Sequence, residues 1–89
     1  MSNKKNERYE ILKGLYKTHG DLAYLLAVFG DHLAKREKYK GLRDMDAVHY
    51  YIITKFKWLP RDVRSMSYDD LRLVLTEEME GWVAPEEAR

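Results

Sequence analysis

Apolar residues recur at helical spacing along most of this chain. From Arg8 onward, Tyr9, Leu12, Leu15 or Tyr16, and His19 fall three or four positions apart, which predicts an amphipathic helix ending at Gly20. Gly14 inside that helix weakens it by about 1 kcal/mol relative to alanine. Asp21 stands where the N-cap of a second helix belongs, and that helix is expected to reach about Lys38. Two stripes run along it. Leu22, Leu25, Leu26, Phe29 and Leu33 form a broad apolar one, while Ala23, Ala27, Gly30 and Ala34 form one of small residues that lets another backbone approach closely. A helix apolar over so much of its circumference belongs at the centre of a fold.

The charged segment "KREKYKGLR", Lys35 to Arg43, follows, with Gly41 as the expected breaker. Asp44 or Asp46 then opens a segment in which Met45, Val48, Ile52, Phe56 and Leu59 keep helical register. Within it, Tyr50 to Phe56 is rich in β-branched and aromatic residues, and a strand would also suit it. Length up to Trp58 and the lack of a second strand to pair with favour helix. Pro60 pushes Leu59 out of helical conformation and can itself begin a short turn, Pro60 to Met66. Ser67 reads as an N-cap with Asp70 three residues on, and Asp69 and Asp70 complement the dipole of a final helix. That helix carries Leu71, Val74, Leu75, Glu78 or Met79, and Trp82, and Gly81 and Pro85 close it.

These elements predict an all-α single domain: a small bundle of about four helices with a short helical turn after Pro60. Residues 1–7 are expected to be flexible, residues 8–83 to form the helical domain, and residues 84–89 to be flexible again.

Composition narrows this further. At 89 residues the chain buries only a modest core, but 45% hydrophobic and 12% aromatic residues suit a folded protein rather than a disordered one. There is no cysteine, which excludes disulfides, thiolate nucleophiles and cysteine-based zinc sites. The longest apolar run, Leu22 to Gly30, is bounded by Asp21 and Asp31 and falls far short of the ~20 residues of a membrane span. No hydrophobic region backs the polar start, so a secretory leader is not expected. The net charge of +1 hides an asymmetry: Met1 to Arg43 holds ten Lys/Arg against five Asp/Glu, and Asp44 to Arg89 holds six against ten. Such a chain can meet an anionic partner with one half, or pair with itself head to tail.

No catalytic residues are expected. His19, His32 and His49 are scattered rather than spaced as metal ligands, and the five glycines are isolated rather than grouped in a phosphate loop, so neither a metal nor a cofactor is implied. Lys35, Arg36, Lys38, Lys40 and Arg43, with Tyr39 interleaved, are the candidates for nucleic-acid contact, because clustered cations suit phosphates and an aromatic ring can stack on a base. Glu37 interrupts them, and cations near a helix end also serve its dipole. The aromatics are too many for so small a core. Tyrosine and tryptophan left at a surface are preferred interface anchors. Of Tyr50 and Tyr51, which point in different directions on one helix, one is expected in the core and the other exposed.

From Phe56 to Leu71, "FKWLPRDVRSMSYDDL", the order of an aromatic, Trp, Pro, a small apolar residue, Met, Ser and an acidic-Leu ending resembles the short element of tail assembly chaperones of tailed bacteriophages. Trp58, Pro60, Val63, Met66, Ser67 and Leu71 match it, over less than a fifth of the chain. The resemblance implies a small helical protein of the host cytoplasm that coats the tape-measure protein before the tail tube polymerises, and that is often made in two lengths by a frameshift. The longer N-terminal half departs from the shortest members of that family, which leaves a related tail, connector or morphogenesis protein open.

The leading expectation is therefore a non-enzymatic chaperone or assembly factor that binds an elongated helical client, and also itself, with Trp58, Pro60, Val63, Met66, Tyr68 and Leu71 as partner-binding residues. The alternatives are a small nucleic-acid-binding regulator using Lys35 to Arg43, and a host-directed inhibitor from a mobile element. Neither involves a membrane.

Overall fold

The computed structural model describes residues 3–89, with side chains from Glu7 onward. In chain order it holds α1 (Asn3–Leu15), α2 (Asp21–Arg36), α3 (Asp44–Phe56), α4 (Pro60–Arg64), α5 (Tyr68–Val74), α6 (Thr76–Met79) and a 3-10 turn (Glu86–Ala88). Among the described residues there is no strand, so the chain is all-α, and Tyr50 to Phe56 is helical.

α2 lies at the centre because it is apolar on two sides. Leu26, Phe29 and Leu33 face α3 and α5 in a core completed by Met45, Val48, Tyr51, Ile52, Val63, Leu71, Leu75 and Met79. Ala27 and Val28, on the other side, meet Leu12 of α1 and Ala88 of the 3-10 turn. Each fully buried Leu, Ile or Phe contributes about 1.5–3 kcal/mol. Most of the stripe of small residues is buried: Ala23, Ala27 and Gly30 are covered, and Ala34 is half-buried. Its purpose is visible at Gly30. A Cβ there would stand 1.8 Å from the Asp44 carbonyl oxygen, so the start of α3 crosses α2 backbone to backbone.

Asp44 is held at that crossing in a left-handed conformation (φ 54°), which aspartate tolerates better than most residues. Its backbone N–H donates to Asp31 Oδ1 at 3.1 Å. Arg8 of α1 donates to both Asp31 carboxylate oxygens, at 2.8 and 2.7 Å, and to Asp44 Oδ1. One guanidinium thus ties three helices together. Partial burial raises the Asp44 carboxyl above its ordinary value, the adjacent Asp31 adds to this, and Arg8 opposes it.

Several boundaries differ from those the spacing predicts. Gly20, not Asp21, is the N-cap of α2, and no side chain caps it; Asp21 is the first helical residue, where its charge suits the dipole. α2 ends at Arg36 and not near Lys38. The left-handed residue after it is Lys38 (φ 61°), with Tyr39 N–H donating to the Ala34 carbonyl, so Gly41 is not the breaker. α1 ends at Leu15 and not at Gly20; Tyr16, the next residue, packs inward, while Leu15 is 65% exposed. The expected final helix is divided at Leu75 (φ −94°, ψ 12°), where the Thr76 hydroxyl donates to the carbonyls of Leu73 (2.7 Å) and Arg72 (3.3 Å). Such back-bonding bends helices. Trp82 stands beyond α6, after Gly81 turns the chain at φ 81°.

The terminal expectations change as well. Of residues 1–7, Met1 and Ser2 lie outside the described residues, while α1 begins at Asn3. Residues 84–89, expected to be flexible, are seated: Ala88 is 2% exposed, its carbonyl accepts from the Tyr24 hydroxyl at 2.7 Å, and Arg89 Nε donates to the Ala84 carbonyl at 2.9 Å. A small apolar residue at Ala88 fits between Leu12 and Tyr24, a match that sequence position cannot reveal.

Two predictions follow from this packing. Gly30→Ala pushes α3 off α2 and destabilises the fold by at least about 2 kcal/mol, measured by chemical denaturation; an unchanged midpoint contradicts the backbone crossing. The second concerns pH. Burial lowers the His49 imidazole below its ordinary value, with Asp46 opposing and Arg64 adding; burial also lowers His32, and Arg36 and Lys35 add to it. The unfolded chain therefore binds protons first as pH falls through about 6.5, and stability declines from there until the lowered folded-state values are passed. The melting temperature should be lower at pH 5 than at pH 7.5, with a smaller drop in His49→Gln. An equal or higher value at pH 5 counts against the assignment.

Candidate functional site

The Phe56 to Leu71 element divides into a buried part and an exposed part. Val63 and Leu71 have no exposed surface and belong to the core, which corrects their assignment as partner-binding residues: the short α4 and α5 need one apolar anchor each. Met66 is half-buried against the same core. Ser67 caps α5, its Oγ accepting from the Asp70 N–H at 3.1 Å. Tyr68 is half-buried too, its ring edge-on to His19 at 6.0 Å and its hydroxyl 3.4 Å from His19 Nδ1.

Trp58 and Pro60 are different. α3 stops because Lys57 takes a left-handed conformation (φ 60°), its N–H closing on the Ile53 carbonyl at 2.9 Å. The chain then turns outward, and Pro60 starts α4 at its first position. Between these two stops the Trp58 ring stacks on Phe56, centroids 4.9 Å apart and planes 23° from parallel. Trp58 is 43% exposed and Leu59 55%, with Phe56 and Pro60 exposed beside them. Four of the five positions from Phe56 to Pro60 are thus apolar and exposed, with Lys57 between them. Lys57 and Arg61, within the same stretch, have no ion pair among the described residues. Phe56 and Leu59 were not expected here, because helical register places them inward. Phe56 keeps the register as the last residue of α3 but lies beyond the end of the core, and Leu59 follows the Lys57 turn; the Pro60 start is the signal that helical register cannot be carried through Leu59.

Tyr51 is buried and Tyr50 is 44% exposed, as their different directions on the helix predict. Tyr50 meets Tyr39 edge-on at 5.1 Å.

The basic segment is also split. Arg36 turns toward α3 and α6, pairing with Glu37 at 3.0 Å and Glu78 at 3.2 Å and lying 5.3 Å from the Tyr51 ring centroid. Lys55 joins it on Glu78, and that pairing holds the Glu78 carboxyl below its ordinary value. Lys38 is exposed at the left-handed turn, away from the cleft lined by its neighbours. Lys35, Tyr39, Lys40 and Arg43, by contrast, line one cleft of about 430 Å³ between α1, α2, the loop before α3 and the C-terminal segment. Arg8, Tyr9, Asp31, His32 and Trp82 share its walls.

No group of three or more metal-ligating side chains comes together among the described residues, and none of their helices is long and apolar enough to cross a membrane. No protein-family model, curated protein or solved structure matches the chain.

The split between anchor and surface is measurable as stability. Leu71→Ala should cost about 2–5 kcal/mol by denaturant titration. Trp58→Ala, at the surface, should cost less than about 1 kcal/mol. Similar losses in the two variants would place Trp58 in the core.

Proposed function

We propose that this chain is a non-enzymatic protein-binding module whose docking surface is Phe56, Trp58, Leu59 and Pro60. The observation that carries this is the stacked, outward-facing Phe56 and Trp58 pair, held by two backbone stops rather than by the core. Exposed Trp and its apolar neighbours are costly to leave in water and are typical anchors of interfaces. An amphipathic helix that lays its apolar face across them is the partner this shape suits. Lys57 and Arg61 favour acidic residues at its edges. The resemblance of Phe56 to Leu71 to tail assembly chaperones supplies the client class: an elongated helical phage protein, such as a tape-measure protein, bound in the host cytoplasm during virion morphogenesis. Many copies would line such a client, each docking one amphipathic segment. Trp58 and Pro60 carry that resemblance at the surface, whereas Val63, Met66 and Leu71 hold the connector in shape.

The test is co-expression with a tape-measure-like protein from the same genome, followed by purification of the tagged 89-residue chain. Several copies should co-purify per client, and Trp58→Ala or Leu59→Ser should abolish this with the circular-dichroism melt retained. Absence of co-purification, or binding indifferent to both substitutions, overturns the proposal.

A further inference from the structure

The cleft beside α2 shares no residue with the docking surface. Its lining brings together four cations, Arg8, Lys35, Lys40 and Arg43, and only one carboxylate, Asp31. That carboxylate is already used: both oxygens accept from Arg8, and Oδ1 also accepts from the Asp44 N–H. Lys35, Lys40 and Arg43 have no ion pair among the described residues. Like charges gathered at one cavity repel each other unless an anion joins them.

The rest of the lining is divided between four rings, Tyr9, His32, Tyr39 and Trp82, and four aliphatic side chains, Val28, Ala34, Leu42 and Pro85. Trp82 packs edge-on against Phe29 at 4.9 Å, which fixes its ring as one wall. His32 lies 6.0 Å from it, and burial with the neighbouring Arg36 and Lys35 keeps that imidazole below its ordinary pKa, so near neutrality it is a flat uncharged ring. Tyr9 of α1 and Tyr39 of the loop line the same cleft. The volume, about 430 Å³, lies within the usual range of small-molecule sites. A cation alone would be repelled, and a purely apolar ligand would leave three charges unanswered. A planar ring joined to an anionic group answers both walls at once.

We propose that this cleft binds a nucleoside phosphate, the base lying among Trp82, His32 and the two tyrosines and the phosphate meeting Lys35, Lys40 and Arg43. The unit is either a free nucleotide or the end of a single strand, since both present the same chemistry. Stacking on aromatic rings tolerates any base, so discrimination among bases is expected to be weak. Binding should weaken as salt rises.

Isothermal titration calorimetry of the full chain with AMP, ATP, adenosine, inorganic phosphate and a ten-nucleotide single strand tests this. AMP and ATP should bind more tightly than adenosine or phosphate, and in Trp58→Phe, which leaves Trp82 as the only tryptophan, AMP should change the tryptophan emission. The exposed pair Lys35→Glu with Arg43→Glu should weaken ATP by at least about tenfold, equivalent to about 1.4 kcal/mol, at an unchanged melting temperature. A strand binding no more tightly than AMP assigns the free nucleotide, and one binding at least about tenfold more tightly assigns the strand end. No heat with AMP, ATP or the strand overturns the proposal, as does ATP binding that survives the charge reversal in a folded variant. Because the client assay reads Trp58 and this assay reads Lys35 and Arg43, either proposal can fail alone.

Discussion

The contact on which this fold depends is between two backbones. Gly30 lets the Asp44 peptide sit directly against α2, and no side chain separates them. At that distance the first turn of α3 cannot slide or rotate without losing the crossing, so the direction of α3 is fixed from its first residue. Its apolar face, Met45, Val48, Tyr51 and Ile52, is thereby aimed at Leu26, Phe29 and Leu33. The polar counterpart of this crossing is Arg8, whose guanidinium reaches Asp31 on α2 and Asp44 on α3. Partly exposed ion pairs contribute little energy individually. This one matters for register, since it brings α1 to the same crossing.

Two surfaces follow from that arrangement. Once α3 is aimed, its C-terminal end runs out of core before the sequence runs out of apolar residues. Lys57 then turns the chain and Pro60 restarts it, leaving Phe56, Trp58 and Leu59 outside. On the other side of α2, the loop that returns to the Asp44 crossing carries Tyr39, Lys40 and Arg43 over a groove already walled by α1 and Trp82. The exposed apolar patch is thus a consequence of where α3 stops, and the basic cleft a consequence of where it starts. A lysine in left-handed conformation marks each approach, Lys38 before α3 and Lys57 after it. Glycine would adopt those conformations with less strain.

Charge is sorted by the same packing. The cations of the segment from Lys35 to Arg43, with Arg8, do not gather on one basic face. Arg36 is drawn away by Glu78, and Arg8 is consumed by Asp31 and Asp44, whereas Lys35, Lys40 and Arg43 remain around the cleft. A run of basic residues in sequence has therefore become one cleft lined by cations and one cross-link between helices. That is why the cations from Lys35 to Arg43 do not share one face.

The sequence by itself determined the helical class, the central place of α2, the Ser67 cap, the Pro60 start and the contrast between Tyr50 and Tyr51. Each of these rests on local physics: periodicity, the missing proline N–H, a hydroxyl three residues from an N–H, and the angle between adjacent side chains on a helix. The stripe through Gly30 was also legible as a place of close approach, although its partner was not. Only the tertiary structure decided that Asp44 is what approaches, that Val63 and Leu71 are core, that Ala88 pins the C-terminus, and that Lys35, Arg43 and Trp82 face one cleft. Those are contacts between residues far apart in the chain, and nothing in the spacing of one segment encodes the position of another. Burial of Val63 against exposure of Trp58 illustrates the point: both are apolar residues of one short connector, and only the reach of the core separates them.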